Sequence, residues 1–208
     1  MSLSALEPLP AAVAPVRKPR PYVFLGQTTS MCETCLKLVP AKIIEEGQAV
    51  YIEPVARARI GELTPEKIWG DMVRDMPQGQ PAQGDRGLDY THTWGRTYWG
   101  GAIFCLLADV QIRERTHNQK GLEDALRAVL AQGNIQSEWP LERAIAIADK
   151  ATGVPVLHDL YEQMKATPVT VDLDGLWKKL GVKEANGQVV FDDNAPLAAV
   201  RRAITAQR

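Results

Sequence analysis

The chain has 208 residues, of which 45% are hydrophobic and 24% charged, with 24 Lys and Arg against 25 Asp and Glu. This near-neutral balance offers no cationic surplus for nucleic-acid phosphates, and no apolar run reaches the length of a membrane-spanning helix. Three cysteines do not make the disulfide framework of a secreted protein. We therefore expect a cytoplasmic protein with neither nucleic acid nor a membrane as its partner.

Residues 1–21 form a Pro-rich segment that ends in Arg17-Lys18-Pro19-Arg20-Pro21. Its apolar first part lacks the cationic start of a signal peptide and contains Glu7. Five prolines interrupt any regular hydrogen-bonded structure, which predicts a flexible arm.

Residues 22–52 are predicted as a small β module. Residues 41–44 and 48–52 are rich in apolar side chains and flank Glu45-Glu46-Gly47, which resembles a hairpin turn. The competing interpretation is one helix over residues 46–60, whose apolar face carries Ala49, Ile52, Ala56 and Ile60. Periodicity alone does not choose between the two.

Residues 53–208 are predicted as a mostly helical domain. Thr64 caps a helix over residues 65–76, and residues 77–93 form a long loop rich in Pro and Gly. The segment from Thr97 to about Arg115 is apolar over most of its girth, which indicates a buried central helix. Further elements are predicted in this order: a helix from Gly121 to Gly133, helices over 140–151, 155–165 and 174–180, a hairpin at Asn186-Gly187, and a helix over 196–206. The expected fold class is mainly α, with a small β-hairpin or knuckle in front.

Cys32 and Cys35 form a C-x-x-C pair, and two thiolates at this spacing chelate one tetrahedral Zn²⁺. A closed site needs two more ligands, for which the sequence offers Cys105, His92, His117 and His158. Redox chemistry is the alternative, although the βαβ context of a thioredoxin-like dithiol is absent. Cys105 itself lies on the apolar helix and is expected in the core.

The sequence around this pair, from Pro21 to Cys35 (P-Y-V-F-L-G-Q-T-T-S-M-C-E-T-C) and from Val39 to Ile44, resembles the N-terminal segment of a family of radical SAM proteins. In that family the knuckle continues to a C-x-x-H-G and then to a C-x-x-x-C-x-x-C that holds an iron–sulfur cluster. Neither motif occurs in this sequence. The resemblance therefore implies no radical chemistry for this chain, because a cluster needs at least three thiolates.

Two later segments carry a second resemblance, Glu46 to Pro54 (E-G-Q-A-V-Y-I-E-P) and Trp94 to Ala102 (W-G-R-T-Y-W-G-G-A). Together with residues 112–116 and 121–130, they make residues 46–208 similar to the C-terminal part of gluzincin metallopeptidases of the glycyl aminopeptidase type. This resemblance implies a zincin-like helical domain, zinc as cofactor and peptide as substrate. It also implies that Glu46 is the third zinc ligand and that Tyr98 donates to the oxyanion of the tetrahedral intermediate.

The H-E-x-x-H motif of that family, which supplies two zinc ligands and the general base, does not occur here. Tyr22–Gln27 occupy its expected place, the first histidine is His92, and the two resemblances meet near residues 44–47. We therefore expect a truncated or degenerate peptidase-like protein that is inactive alone. The alternatives are a small metal-binding module that uses Cys32 and Cys35, and a subunit that a partner bearing H-E-x-x-H completes.

Overall fold

The computed structural model describes residues 42–133 and 140–207. Its elements, in chain order, are α1 (Lys42–Arg59), α2 (Pro65–Asp75), a 3-10 turn (Met76–Gly79), a π-helical turn (Arg96–Gly100), α3 (Gly101–Arg115), α4 (Leu122–Gln132), α5 (Leu141–Thr152), α6 (Val156–Met164), α7 (Leu173–Leu180), β1 (Val182–Ala185), β2 (Gln188–Phe191) and α8 (Ala198–Thr205). These elements confirm the mainly α fold class. The predicted arm over residues 1–21 and the C-x-x-C pair lie outside the described residues. The finer assignment to a zincin-like peptidase domain stays a prediction.

α1 replaces the hairpin that was predicted from residues 41–44 and 48–52, so that prediction is wrong for the described residues, which begin at Lys42. The competing helix is confirmed, although it begins earlier, at Lys42, and the predicted boundary between residues 52 and 53 falls inside it. Its expected apolar face is also wrong, because Ala49 and Ile60 are exposed. The buried positions of α1 instead follow one another at steps of three or four residues, namely Ile43, Gly47, Tyr51, Val55 and Ala58.

α3 is the central helix of the described chain, as the sequence predicts. Apolar side chains surround it, and its buried residues are Gly101, Ala102, Ile103, Phe104, Cys105, Leu106, Ala108, Asp109, Val110, Ile112 and Arg113. It contacts α1, α4, α6 and α8, so burial on all sides stabilises it rather than one amphipathic face. The predicted helix starts at Thr97, and its first turn has π-helical geometry.

The remaining predicted elements are confirmed within a few residues of their expected bounds. Thr64 caps α2, since its hydroxyl accepts from Lys67 N at 3.2 Å. Asn186 and Gly187 both have positive φ, 53° and 76°, and join β1 to β2 as a tight antiparallel hairpin in which Val182 pairs with Phe191.

Over residues 42–133 and 140–207, no helix combines the length and the apolar character that crossing a membrane requires.

Candidate functional site

The two segments that carry the peptidase resemblance meet where α1 crosses the start of α3. A Cβ atom built on Gly47 would overlap the backbone of Gly101, and one built on Gly101 would overlap the carbonyl of Ile43. The two helices are therefore in backbone contact, which side chains larger than hydrogen would prevent. Glu46 precedes the first glycine, and Tyr98 stands one turn before the second. Glu46 and Tyr98 thus lie on two helical segments that are in contact.

Tyr98 lies in the π-helical turn and is half-buried. Its ring centroid is 5.6 Å from that of Trp94, with 43° between the planes, and Trp94 is 64% exposed. Turns of π geometry are rare and occur often at functional sites, because the wider turn displaces side chains from the regular helical path. The geometry therefore places the half-buried Tyr98 on a distorted turn, in contact with the exposed Trp94 just before that turn.

A buried arginine holds this turn in place. The Arg96 side chain is 3% exposed, and its Nη1 donates to Gly79 O at 2.7 Å. Its Nε lies 2.8 Å from Asp85 Oδ2, at ion-pair distance but without the alignment of a hydrogen bond. Asp85 Oδ1 accepts from Gly87 N at 2.8 Å. Arg96 therefore fastens the long loop to the turn, a role that its place inside the W-G-R-T-Y segment did not indicate.

The far end of the long loop is fastened to α6. Leu88 N donates to Met164 O and Asp89 N donates to Lys165 O, both at 2.9 Å. The phenol of Tyr161 donates to Asp89 Oδ2 at 2.8 Å. Hydrogen bonds therefore hold both ends of the long loop. Trp94, which follows this loop directly, lies on a fixed segment although the loop is long.

Tyr51, the last residue of the E-G-x-A-x-Y segment, is fully buried and has a structural contact. Its phenol donates to Asp109 Oδ2 at 2.9 Å, and burial raises the pKa of both groups. Asp109 Oδ1 also accepts from Arg113 Nε at 2.8 Å and from Leu122 N at 2.9 Å. This network joins α1, α3 and the start of α4, and sequence reasoning missed it because Tyr51 and Asp109 are 58 residues apart in the chain.

Arg113 continues the network towards the surface. Its Nη2 donates to Glu123 Oε2 at 2.7 Å, and Arg59 Nη1 lies 2.9 Å from Glu123 Oε1. Burial opposes ionisation of Glu123, but the two guanidinium groups outweigh it and lower the pKa of Glu123 to about 2. The carboxylate is therefore held ionised between two arginines.

The described residues do not fit a catalytic zinc. Within residues 43–133 and 140–207, no three His, Cys, Asp or Glu side chains lie together as a possible metal site. Glu46 is half-buried on α1 rather than in a turn, and Cys32 and Cys35 lie outside the described residues. The metal roles of all three residues, and the oxyanion role of Tyr98, stay predictions.

The other candidate ligands of the sequence are dispersed. His92, His117 and His158 are all exposed. Cys105 is 3% exposed in α3, where burial raises the pKa of its thiol, so its predicted place in the core is confirmed. None of these four residues belongs to a metal-sized cluster in the described part of the chain.

Residues 24–53 match the family described as the HMPTM N-terminal zinc ribbon domain. No curated protein and no solved structure matches the chain. The matched segment contains Cys32 and Cys35 and runs into α1, and it covers a small part of the sequence. The match favours zinc as the metal of this segment. It does not test the resemblance of the later residues to peptidases.

Proposed function

We propose that residues 42–207 form the substrate-side scaffold of a peptidase-like protein, which binds peptide but does not hydrolyse it by itself. The observation that carries this proposal is the glycine crossing at Gly47 and Gly101, because it sets Glu46 and Tyr98 on adjoining helical segments. In the peptidases that the sequence resembles, these two positions hold the third zinc ligand and the oxyanion donor.

Hydrolysis by a zinc peptidase needs three protein ligands and a base near the metal. The sequence contains no H-E-x-x-H, and the described residues gather no group of three ligands around Glu46. A phenol and a carboxylate can still form hydrogen bonds with a peptide. They do not activate a water molecule without the metal.

We expect the purified chain, supplied with zinc, to leave glycyl and alanyl p-nitroanilides intact, as measured by nitroaniline release. Zinc-dependent release that is lost in Glu46→Gln would overturn the proposal. Glu53→Gln is the matched control, because it changes another carboxyl group on α1 that is exposed and paired with Arg57. Release that appears only after a protein with H-E-x-x-H is added would identify a subunit completed by a partner.

A second candidate function is zinc binding by the segment around Cys32 and Cys35, which the zinc ribbon match favours. Two thiolates fill half of a tetrahedral site. The other two ligands come either from the same chain or from the C-x-x-C pair of a second copy.

Zinc content measured by elemental analysis tests this second function. We expect about one zinc per chain if the chain completes its own site, and about one per two chains if two copies share it. The double variant Cys32→Ser, Cys35→Ser is expected to lose the metal, whereas Cys105→Ala, which changes a core thiol, is expected to keep it. Wild-type protein that folds without zinc and does not take it up would exclude this function.

A further inference from the structure

A cavity of about 410 Å³ lies between the long loop and the π-helical turn. The residues that line it come from two segments, and they are Gln78, Gln80, Ala82, Gln83, Gly84 and Asp85 on one side and Thr91, Thr93, Gly95 and Arg96 on the other. This volume is in the range of small-ligand sites, and seven of the ten residues that line it have polar side chains, although much of the exposed wall is apolar. The composition of the walls therefore indicates what kind of ligand the cavity accepts.

The cavity has no net charge. Asp85 and Arg96 are the charged residues among those that line it, and they pair with each other at 2.8 Å. Their side chains are 1% and 3% exposed, so neither is presented to a ligand as a separate ion. A charged ligand group would lose its hydration here and gain no opposite charge.

Uncharged hydrogen-bonding groups remain available on the walls. The hydroxyl oxygens of Thr91 and Thr93 accept from Arg86 N and Arg96 N, at 2.8 and 3.4 Å, and keep their own hydrogens to donate. The exposed amide of Gln83 offers both a donor and an acceptor.

Gln80 also lines the cavity, but its side-chain amide is used in contacts within the fold. The amide of Gln80 is already occupied, since it donates to Val171 O at 2.6 Å and accepts from Val171 N at 3.0 Å. It therefore forms a fixed part of the wall, and ligand contacts fall to Gln83 and the two threonines.

Trp94 stands between two residues that line the cavity, Thr93 and Gly95, and most of its surface is open to solvent. Its ring rests against Tyr98, so the indole has an ordered apolar surface before any ligand arrives. Large aromatic side chains held in this way contribute strongly to binding, because little conformational entropy is lost.

We propose that this cavity is the peptide subsite of the chain and that it accepts an extended, uncharged segment with Trp94 as its apolar contact. Each peptide group carries one donor and one acceptor, which the threonine hydroxyls and the Gln83 amide match. The neutral walls select against acidic and basic side chains. This inference rests on the proposed function, since it names the peptide class and the residues that bind it.

The test uses the full chain and three blocked peptides, acetyl-Ala-Ala-Xaa-Ala-Ala-amide with Asn, Asp or Lys as Xaa. Blocked ends keep binding separate from aminopeptidase hydrolysis. Ligand-observed NMR titration is expected to show the Asn peptide binding about 10-fold more tightly than either charged peptide. Trp94→Ala is expected to weaken the Asn peptide about 10-fold. Leu130→Ala, which removes another exposed large apolar side chain, is the control and is expected to leave binding unchanged.

Gln83→Glu gives an independent readout, because it adds one negative charge to the cavity at an exposed position. The Lys peptide is then expected to bind about 5-fold more tightly than to the wild type, and the Asp peptide more weakly still. Binding of the Asn peptide that Trp94→Ala does not weaken, with affinities for the Lys and Asp peptides that Gln83→Glu does not shift, would overturn the subsite but leave peptide binding elsewhere on the scaffold intact. Binding of none of the three peptides would overturn the subsite, whereas the lack of hydrolysis is judged separately with the nitroanilides.

Discussion

Asp109 is a buried carboxylate of α3 that accepts hydrogen bonds from three segments of the described domain. A buried carboxylate is costly unless several donors surround it. Here the phenol of Tyr51, the guanidinium of Arg113 and the amide of Leu122 supply three, all at 2.8 to 2.9 Å. Because these donors come from three separate segments, the carboxylate fixes their relative positions. Tyr51 is five residues beyond Glu46 on α1, so the same contact also fixes the rotation of the helix that carries the candidate site.

At the edge of this network, Glu123 gives a pH-dependent contribution to stability. Its pKa falls from the ordinary 4.5 to about 2 in the folded chain, chiefly through Arg113 and Arg59 acting against the cost of burial. A depressed folded pKa adds stability that is fully present above pH 4.5 and is lost as the pH falls towards about 2. Glu123→Gln is expected to lower the free energy of unfolding by about 1 kcal/mol at neutral pH. That difference should shrink across this acid range.

Urea unfolding followed by tryptophan fluorescence, repeated at several pH values, measures this effect. Glu114→Gln is the control, since it changes an exposed carboxyl group at the end of α3. If the free energies of unfolding of the wild type and Glu123→Gln differ by the same amount from neutral to acid pH, the lowered pKa of Glu123 is contradicted.

Among the secondary-structure elements, the late hairpin was predictable from its turn residues, whereas the contact between α1 and α3 was not. Asn186-Gly187 specified the late hairpin because both residues readily adopt positive φ. Glu45-Glu46-Gly47 looked similar, yet Gly47 serves a helix crossing with Gly101, a residue more than fifty positions away. The residues next to Gly47 in the sequence do not indicate that Gly101 is its contact partner. The same limit explains why the loop contacts of Arg96 were missed, whereas the role predicted for Tyr98 came from a family resemblance and stays a prediction.

The close contact of Gly47 with Gly101 predicts that alanine at position 47 destabilises the fold, and Gly70 in α2 offers a control. Gly47→Ala places a methyl group where the backbone of Gly101 lies, so α1 and α3 must separate, at an expected cost of about 3 kcal/mol in the free energy of unfolding. Gly70→Ala is the same change within α2, where the new Cβ would lie 3.5 Å from Val189 Cγ2, an ordinary contact. It is expected to stabilise by about 0.5–1 kcal/mol through helix propensity. Thermal unfolding by circular dichroism measures both. Equal effects at the two glycines would show that the crossing is not tight.

The last described helix, α8, packs against the first, α1. Arg59 of α1 donates to Ile204 O in α8 at 2.7 Å, and α8 also contacts α3. From the other side of α8, Arg201 reaches α7 and the hairpin, as its Nη1 donates to Leu180 O at 3.0 Å and to Gly181 O at 2.9 Å. Helix α8 thus meets both α1, which is distant in sequence, and the preceding α7 through arginines that bind backbone carbonyls. Such contacts depend on the finished fold.

Arg201 provides the sharpest test of this closure, because Arg202 beside it is a matched control. Arg201 is buried, lies over the ring of Phe191 at 4.3 Å, and shares the carboxylate of Asp193 with the exposed Arg202. Arg201→Lys keeps the charge but loses the planar fork, so the carbonyls of Leu180 and Gly181 lose a charged donor, and we expect a loss of about 2–3 kcal/mol in the free energy of unfolding. Arg202→Lys alters an exposed ion pair and is expected to change it by less than about 0.5 kcal/mol. Urea unfolding midpoints compare the two variants directly, and similar midpoints would mean that α8 is not fastened to α7 and the hairpin through Arg201.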